Sequence, residues 1–383
     1  MDHDFPEADR DAGSRAIACF VSMLKEAGFD VCFWAATTAP SSRGRSVLAK
    51  GGIEAIALAD TGALEVWLHA GGAHFDASVV SRPLMGAMYM AILKAEIRGP
   101  CIYYGHDIHH HRLKAQSLTL AGRGGFWDMY YNSIIERRLW RGADVVLYPS
   151  QEEADTVNRY LEMIGKRLKA EFFPLWTFRK SRHFPEPALP QRRGILFVGS
   201  HAHAPNIDGL NWFLREVAPF LRAHAPTVRL TIVGSGMNSY LPPETDVLML
   251  RLMGHIDDRA LDAEYAAARV VIAPLRYGAG VKGKVLEAIN HRVPCVLTDA
   301  AAQGLGGLKA SLPVTDDPLA YAKALVTLLT DDNAWHSASE GAASWLAEAY
   351  SHERFIERLR ALTGVTPPFP GAASKVRGRH ARD

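Results

Sequence analysis

The chain has 383 residues, a length that corresponds to about two domains of roughly 150 residues each. Hydrophobic residues make up 48% of it and charged residues 22%, so each half is long enough and apolar enough to bury a core of its own. The formal net charge of +2 gives no signal for a polyanionic partner, so nucleic acid is not expected to bind.

The cysteines and the absence of targeting signals indicate where the protein works. Four cysteines lie far apart in apolar stretches without a CxxC pair, and buried, reduced thiols indicate a reducing compartment. The polar start MDHDFPEADRD is unlike a secretory signal peptide, and no apolar run reaches the roughly 18 residues needed to span a bilayer. We expect a cytoplasmic protein with, at most, peripheral contact at the inner face of the membrane. The cysteines are Cys19, Cys32, Cys101 and Cys295.

Helical and strand patterns alternate through the first half of the chain. A helical pattern over residues 13–27 ends before Gly28, a residue type that commonly follows a helix. The short apolar runs that read as strands are DVCFWA, IEAIAL, LEVWL, DASVVS, CIYYG and DVVLYPS. Further helical patterns cover residues 84–96, 127–141 and 152–161. Strands that alternate with helices predict parallel βαβ units.

The second half repeats this alternation after a break. Prolines accumulate over residues 170–193, which predicts an inter-domain linker. The strand pattern GILFVGS follows, then a helix over residues 206–223 and the strand patterns VRLTIVGSG, VLMLRLMG, VVIAPL and VPCVLT. Helical patterns over residues 318–362 end the domain, and the Pro/Gly-rich, basic tail is expected to be disordered.

This order predicts an α/β fold of two doubly wound, Rossmann-like domains that face each other across a cleft. Ligands of such sheets bind at the carboxyl ends of the strands. We assign residues 1–180 to the N-terminal domain, 191–345 to the C-terminal domain, 346–366 to a C-terminal helix and 367–383 to the disordered tail.

One segment carries most of the chemistry: VVIAPLRYGAGVKGKVLEAINHRVPCVLT, where a buried strand precedes a Gly-rich turn and a helix start. The glycines let the backbone approach a ligand closely, and free N–H groups at the helix start favour an anion. Three basic side chains add positive charge, so the segment predicts a pocket for the diphosphate of a nucleotide-activated sugar. The residues are Gly278, Gly280, Gly283, Arg276, Lys282 and Lys284.

Glu287 lies on the helix that follows this turn, where a carboxylate can accept hydrogen bonds from two ribose hydroxyls. The pattern alone leaves a second interpretation open, a Gly-rich turn with solvated lysines, because such strand–helix turns are common.

This segment resembles the donor-binding signature of the retaining glycosyltransferases of GT-B fold (glycosyl transferases group 1, family 4), in the form R-x-G-x-G-x-K-x-K-x-x-E-A. FVGSHAHAPNIDGLNWFLREVAPFL resembles the opening of that family's C-terminal domain. YYGHDIHHHRLKAQS and RRLWRGADVVLYPSQEEADTV resemble its N-terminal pattern. The opening DRDAGSRA resembles its first loop, where a Gly-Ser pair approaches the donor phosphates. The resemblance covers most of the chain.

The resemblance implies a nucleoside-diphosphate sugar as donor and a glycan, lipid-linked or other acceptor. It implies transfer with retention of anomeric configuration, in the synthesis of surface polysaccharide or another glycoconjugate, with no cofactor besides the donor co-substrate. It places Gly13, Ser14 and Arg15 at the donor, and it puts a histidine that faces the reacting sugar after the strand CIYYG. His106, with its neighbour Asp107, is therefore the candidate catalytic residue, and a cleft-lining histidine without a chemical role is the alternative.

We predict no bound metal. The histidines of the HHH run at residues 109–111 point in different directions on any regular element, so they cannot share one ion. No Asp-x-Asp sequence follows an apolar strand, and the acidic pairs Asp257–Asp258 and Asp331–Asp332 are typical of helix caps.

The chain departs from the family's pattern at two places. Ala279 stands where many members carry a glutamate seven residues before the second one, so a contact to the transferred sugar is missing or supplied elsewhere. The strand that normally precedes the Gly-Ser loop is also missing, since loop-like sequence follows Met1 directly. We therefore expect the N-terminal sheet to lack its central strand or to fill that place with another segment. An upstream start or a trimmed chain would each explain it.

Two alternative functions remain open, a sugar-nucleotide epimerase or hydrolase of the same fold and a non-catalytic scaffold. A local excess of positive charge bears on possible partners: the segment from Lys94 to Arg193 contains seventeen Lys and Arg residues and eleven Asp and Glu residues. This excess biases one face toward anionic lipid head groups or an anionic acceptor, and a solvated face is the simpler alternative.

Overall fold

The computed structural model describes residues 1–7, 12–37, 39–58, 60–71, 75–119, 126–179, 189–242, 249–278 and 280–364. The described chain is α/β, and its strands pair in parallel throughout the recorded ladders. No helix in these ranges is long and apolar enough to cross a membrane. Ala279 and the tail beyond residue 364 lie outside the described residues.

Helices and strands alternate through the N-terminal domain, as the sequence predicts. They are α1 (Ala12–Glu26), β1 (Cys32–Ala35), α2 (Ser42–Lys50), β2 (Glu54–Ala57), α3 (Thr61–Gly71), β3 (Ser78–Ser81), α4 (Pro83–Glu96), β4 (Cys101–Tyr104), α5 (His109–Thr119), α6 (Phe126–Gly142), β5 (Val145–Tyr148), α7 (Gln151–Met163) and β6 (Ala170–Phe172).

The N-terminal sheet consists of a pair, β1–β2, and a four-stranded part in the order β3-β4-β5-β6. Met1 and Asp2 lie between the two parts. The Met1 amino group donates to the carbonyl of Val79 at 2.9 Å, and the N–H of Asp2 donates to the carbonyl of Trp34 at 3.1 Å. Asp2 also forms an isolated bridge with Ala35. Among the described residues no longer strand occupies this central position, so the two residues fill the predicted gap and join both parts.

One predicted strand is wrong. The run LEVWL lies in the middle of α3, not in a strand. Leu64 and Leu68 are 1% and 2% exposed, whereas Val66 between them is 73% exposed. Burial four residues apart follows the period of a helix, and the short apolar run was too brief to distinguish this period from a strand.

The C-terminal domain has a five-stranded parallel sheet in the order β11-β10-β7-β8-β9. Its acidic caps agree with the prediction, because Asp257 accepts from Ala260 N–H at 2.8 Å and Asp331 accepts from Asn333 N–H at 2.9 Å. The elements are β7 (Ile195–Val198), α8 (Ala204–Trp212), α9 (Ala218–His224), β8 (Arg229–Val233), β9 (Met249–Met253), α10 (Asp258–Ala267), β10 (Val270–Ala273), α11 (Gly283–Asn290), β11 (Cys295–Leu297), α12 (Asp299–Ala302), α13 (Pro318–Thr330), α14 (Asp332–Ala349) and α15 (His352–Thr363).

The two connections between the domains run side by side. Phe178 forms a parallel bridge with Ser351, and its N–H donates to the carbonyl of Tyr350 at 2.9 Å. Helix α15, inside the predicted range 346–366, returns to the N-terminal domain and packs Phe355 and Leu359 into a core with Phe20 of α1.

The predicted linker, residues 170–193, begins before the end of the N-terminal domain. Its first residues form β6, and Phe173 and Leu175 just beyond them are buried. The prolines dominated the sequence pattern, but the apolar side chains before them complete the N-terminal core.

All four cysteines are free, as expected. Cys101 and Cys295 are buried, while Cys19 and Cys32 are half-buried. Burial raises the pKa of Cys32 to about 12, so this side chain stays a neutral thiol near pH 7.

Candidate functional site

The strand order of the C-terminal sheet fixes where a ligand can bind. Strands β7 and β10 are neighbours in the sheet. The chain continues from β7 to β8 toward one edge of the sheet and from β10 to β11 toward the other edge. Doubly wound sheets bind ligands at such a switch point. The carboxyl end of β10 leads directly into the Gly-rich turn and α11. The residues predicted to form an anion pocket therefore lie at this crevice.

The Gly-rich turn contacts the opposite domain. Gly278 has φ +143° and Gly280 has φ +72°, a backbone region that side chains other than glycine rarely adopt. A Cβ atom at Gly280 would lie 3.4 Å from the Cβ of Asp107 and 3.5 Å from the carbonyl oxygen of His106. The predicted donor loop and the predicted catalytic loop thus meet across the cleft.

Lys284 is a confined cation in the first turn of α11. Its Nζ donates to Asn206 Oδ1 at 2.7 Å and lies 4.6 Å from the centre of the Phe197 ring. Burial, together with the charge of Lys282, lowers the pKa of Lys284 to about 7. The solvated-lysine interpretation is therefore wrong for this residue, because its amine is held against the end of β7.

Lys282 immediately precedes α11, and its Nζ donates to the carbonyl of Gly280 at 2.6 Å. Burial lowers its pKa to about 8, although the nearby carboxylates of Glu153 and Asp107 act in the opposite direction. An anion that binds beside these two amines and the N–H groups of a helix start is stabilised by them, and its negative charge favours the protonated form of both amines.

Glu287 and Arg15 form an ion pair across the cleft, with Nη1 and Oε1 2.8 Å apart. The hydroxyl of Tyr265 also donates to Glu287 Oε2 at 3.3 Å. Glu287 was predicted to bind the ribose of the donor and Arg15 to lie at the donor. The structure shows that these two side chains bind each other across the cleft.

The Gly-Ser pair lies in the first turn of α1. Ser14 is 2% exposed, and its hydroxyl accepts from the N–H of Glu7 at 2.8 Å. This contact joins Glu7 to the first turn of the helix. Gly13 and Ser14 thus lie at a helix N-terminus, the position from which the resemblance implies an approach to phosphate.

Arg276 is placed differently from the two lysines. Its side chain is 49% exposed, and its Nη1 lies 3.5 Å from Asp208 Oδ1. An open cavity of about 450 Å³ lies beside this pair, lined in part by Tyr277 and His201. Arg276 therefore lies at the rim of the crevice.

His106 follows β4 and is half-buried. Its Nε2 is enclosed and has no hydrogen-bond partner within the described residues. Burial lowers the pKa of His106 to about 4, and the charge of Arg82 adds to this effect. The imidazole is therefore neutral at pH 7 and available as a hydrogen-bonding group.

Asp107 is held in place as an anion. Arg112 Nη1 lies 2.8 Å from its Oδ2, and His109 Nε2 lies 3.0 Å from its Oδ1. Burial alone would raise the pKa of Asp107, but the hydrogen bond from His109 and the charge of Arg112 outweigh burial and lower it. These contacts favour a positioning role for Asp107 rather than proton transfer.

Two buried carboxylates support this loop, and neither was predicted as part of the site. Glu136 of α6 accepts from the N–H groups of His109 at 2.8 Å and His110 at 3.2 Å. Glu153 of α7 accepts from Ile108 N–H at 3.0 Å and from the Ser150 hydroxyl at 2.9 Å. Together they satisfy the donors at the start of α5.

The sequence Ser150-x-x-Glu153 has the spacing of a capping box, a signal for the start of α7 that gives no sign of the contact with the loop after β4. Burial, together with the negative charge of Asp107, raises the pKa of Glu153 to about 7. This carboxylate therefore titrates near neutral pH inside the cleft.

Replacing Glu153 with glutamine is expected to raise the melting temperature at pH 8 and to leave it nearly unchanged at pH 5. The folded protein favours the protonated form, so stability is full below the unfolded pKa of 4.5 and falls as the pH rises through about 7. An amide can still accept from Ile108 and donate to Ser150. Melting curves at both pH values, with the exposed Glu162→Gln as control, check this.

An equal shift of the melting temperature at both pH values would contradict the titration of Glu153. A lower melting temperature of the variant at pH 8 would contradict it as well.

Comparison with known proteins shows which proteins this chain resembles. Residues 192–331 match the family model of Glycosyl transferases group 1. Over 172 residues the chain is 26% identical to an uncharacterized 44.6 kDa protein in the cps region of Klebsiella pneumoniae. That alignment covers 43% of this chain and 44% of the relative, so it spans less than half of either protein.

Solved structures resemble the chain over nearly its whole length. HepE of Anabaena, in complex with UDP, superposes with a TM-score of 0.66 and 14% identity, covering 95% of this chain and 98% of that one. Sucrose-phosphate synthase from Thermosynechococcus elongatus gives a TM-score of 0.66 and 16% identity, covering 94% and 96%. The chain has the GT-B fold, two Rossmann-like domains facing across a cleft, and its C-terminal domain carries the group 1 glycosyltransferase match.

Proposed function

We propose that the protein is a glycosyltransferase that moves a sugar from a nucleoside-diphosphate donor to a glycan, lipid-linked or other acceptor. The observation that carries the proposal is the pair of confined lysines at the start of α11, directly after the Gly-rich turn that contacts the loop of His106 across the cleft. UDP is the first nucleotide to test, because HepE of Anabaena was solved with UDP and with UDP-glucose.

In the proposed complex the donor diphosphate lies against the N-terminus of α11 and takes up the charges of Lys282 and Lys284. Negative charge grows on the diphosphate as the glycosidic bond breaks, so both cations interact more strongly with the transition state than with the bound donor. Charge stabilisation by groups already in position is usually the largest contribution to such a reaction. No metal or further cofactor is part of this proposal.

The proposed role of Glu287 is to hold the ribose after the donor has displaced Arg15. Arg15 is then released from its ion pair close to the phosphates, where the helix start with Gly13 and Ser14 also lies. The exchange would couple donor binding to the contact between the two domains. Because Gly278 and Gly280 carry no side chains, the diphosphate can approach the backbone of the turn closely. Arg276 adds positive charge at the rim of the crevice.

His106 is proposed to face the transferred sugar and the acceptor. Its neutral imidazole can hydrogen-bond a sugar hydroxyl without adding charge, and Asp107 holds the loop. Retention of anomeric configuration and a role in surface polysaccharide or glycoconjugate synthesis extend the proposal. The relative in a cps region is consistent with polysaccharide synthesis.

Glu287→Ala is expected to weaken donor binding about tenfold or more and to change turnover only a few-fold. Hydrogen bonds to a charged group contribute about 1.5–3 kcal/mol, and a ribose contact changes little during the reaction. Donor titrations and steady-state kinetics measure the two effects separately. Asp258→Ala is the matched control, because this exposed carboxylate also lies near Arg15, at 3.7 Å. A normal donor affinity with slow turnover would contradict the ribose contact.

A thermal-shift screen with UDP, GDP, ADP, CMP and dTDP sugars tests the proposed function. A donor at about 100 times its dissociation constant should add roughly 2.7 kcal/mol of stability. No binding by any nucleotide sugar would favour the scaffold alternative. Release of nucleotide that needs no acceptor would favour the hydrolase, and conversion of the donor without release of nucleotide would favour the epimerase, so the same donor is then tested with and without acceptor.

A further inference from the structure

Four large apolar side chains line the exposed face of α6. Trp127 is 76% exposed, Tyr130 52%, Tyr131 63% and Ile134 48%. Their spacing places them on one stripe of the helix, and the opposite side, with Leu139 and Trp140 nearby, is buried. Isolated exposed apolar residues are ordinary, but a contiguous stripe of this kind marks an interaction surface.

The neighbouring helix α4 adds two exposed apolar side chains beside the second half of α6. Gly86 of α4 lies directly against Leu139 of α6, since a Cβ atom there would come within 2.8 Å of the leucine Cδ2. On the outer side of α4, Leu84 is 57% exposed and Met88 43%. We call these six residues of α4 and α6 the aromatic face.

The helix that carries the aromatic face ends in cations. Arg138 and Arg141 continue the same side of α6 and are exposed. Lys166 Nζ donates to the carbonyl of Arg141 at 2.6 Å, which brings the turn after α7 to the end of α6. Arg167 and Lys169 of this turn are exposed as well. The surface therefore joins the apolar side chains to five exposed cations at and beside the end of α6.

The aromatic face lies on the same side of the N-terminal domain as His106. The middle of α6 is fixed to the loop after β4, because Glu136 accepts from the backbone of His109 and His110. The helix then ends just before β5, at the amino edge of the sheet. Its first half must therefore point toward the carboxyl edge, where His106 and the cleft lie.

We propose that the aromatic face and the adjoining cations dock on a membrane surface that contains anionic lipids. Trp and Tyr combine an apolar body with a polar tip and are enriched in the head-group layer, where basic side chains bind lipid phosphates. A second copy of this chain is a less suitable partner, because the two sets of the same cations would repel each other. The consequence for catalysis rests on the proposed function: the acceptor is lipid-linked and reaches His106 from the membrane.

Vesicle flotation with the full chain tests the docking. Vesicles of phosphatidylcholine are compared with vesicles that also contain about 30% phosphatidylglycerol, at low and high salt. We expect binding at least tenfold stronger to the anionic vesicles, weakening with salt. Trp127→Ala with Tyr131→Ala, and separately Arg138→Glu with Arg141→Glu, should each lower it about tenfold or more. Leu241→Ala, at an apolar side chain 87% exposed in the C-terminal domain, should not.

Nucleotide binding is measured on the same variants by thermal shift with UDP. Unchanged UDP binding beside lost vesicle binding supports the docking surface, and it separates failure of this proposal from failure of the proposed function. Equal binding of wild type to both kinds of vesicle, or full binding by the two double variants, overturns it. A dimer of the wild type that dissociates in Trp127→Ala with Tyr131→Ala would make a second copy the occupant and also overturn it.

Discussion

Lys284→Met is expected to lower the rate of sugar transfer by about 100-fold or more, while the donor dissociation constant rises only a few-fold. One well-placed donor to a developing negative charge accounts for about 2.7–4 kcal/mol in known cases. Lys284 already lies at the helix start, held by Asn206. Because the diphosphate gains charge during bond breaking, the rate falls more than the affinity. Steady-state kinetics with varied donor measure both effects.

Folding should survive this substitution. Methionine can keep the contact over the Phe197 ring, and it removes an amine whose pKa burial lowers to about 7. Lys282→Met should have a weaker effect on the rate, and the exposed Lys323→Met serves as control. Near wild-type turnover of both variants at lysines 282 and 284, with unchanged melting curves, would mean that the diphosphate binds elsewhere.

His106→Ala is expected to lower turnover by about 100- to 10,000-fold and to leave UDP affinity within a few-fold of wild type. The side chain lies on the N-terminal side of the cleft, and the nucleotide pocket is assigned to the C-terminal side. Its enclosed Nε2 has no hydrogen-bond partner in the described part of the chain, which leaves it available to substrate. UDP titration and single-turnover rates measure the two effects.

The exposed His224→Ala is the control for this substitution. Equal losses of affinity and rate in His106→Ala would assign the residue to the nucleotide pocket or to folding. A normal rate would leave it a cleft-lining histidine without a chemical role.

Local patterns in the sequence predicted most of the secondary structure and the position of the Gly-rich turn between β10 and α11. Strand–turn–helix order around Gly278 and Gly280 can be read from consecutive residues, and so can the capping residues Asp257 and Asp331. The doubly wound fold follows from the alternation of such units. The structure agrees because these features depend on neighbours in the chain.

Contacts between distant residues could not be predicted in this way. Arg15 and Glu287 are far apart in the sequence, and each was assigned to the donor without any sign that they bind each other. The support of the His106 loop by Glu136 and Glu153 likewise depends on how two helices pack. The confined state of Lys284 follows from its placement against β7, which a glycine-rich, polar sequence does not indicate.

The filling of the N-terminal sheet is a similar case. Loop-like residues after Met1 predicted a gap, and the structure places Met1 and Asp2 in it. Asp2 is held there by Arg82, whose Nε lies 2.8 Å from its Oδ1. Burial alone would raise the pKa of Asp2, but the hydrogen bond from His3 and the charge of Arg82 lower it. An ion pair between distant residues thus secures a position that the sequence pattern left undefined.

The most direct test of the central claim is calorimetric titration of UDP at pH 8 in two buffers of different ionisation enthalpy. The diphosphate of UDP is fully ionised at this pH, since its last pKa is about 6. Lys284, with a pKa of about 7, and Lys282, with a pKa of about 8, are partly neutral in the free protein and should become fully protonated beside the diphosphate. We predict that binding of UDP takes up about one proton or more, so that the measured heat differs between the two buffers. This difference should be markedly smaller for Lys284→Met. Tight binding of UDP with the same heat in both buffers would contradict a diphosphate site at these two lysines.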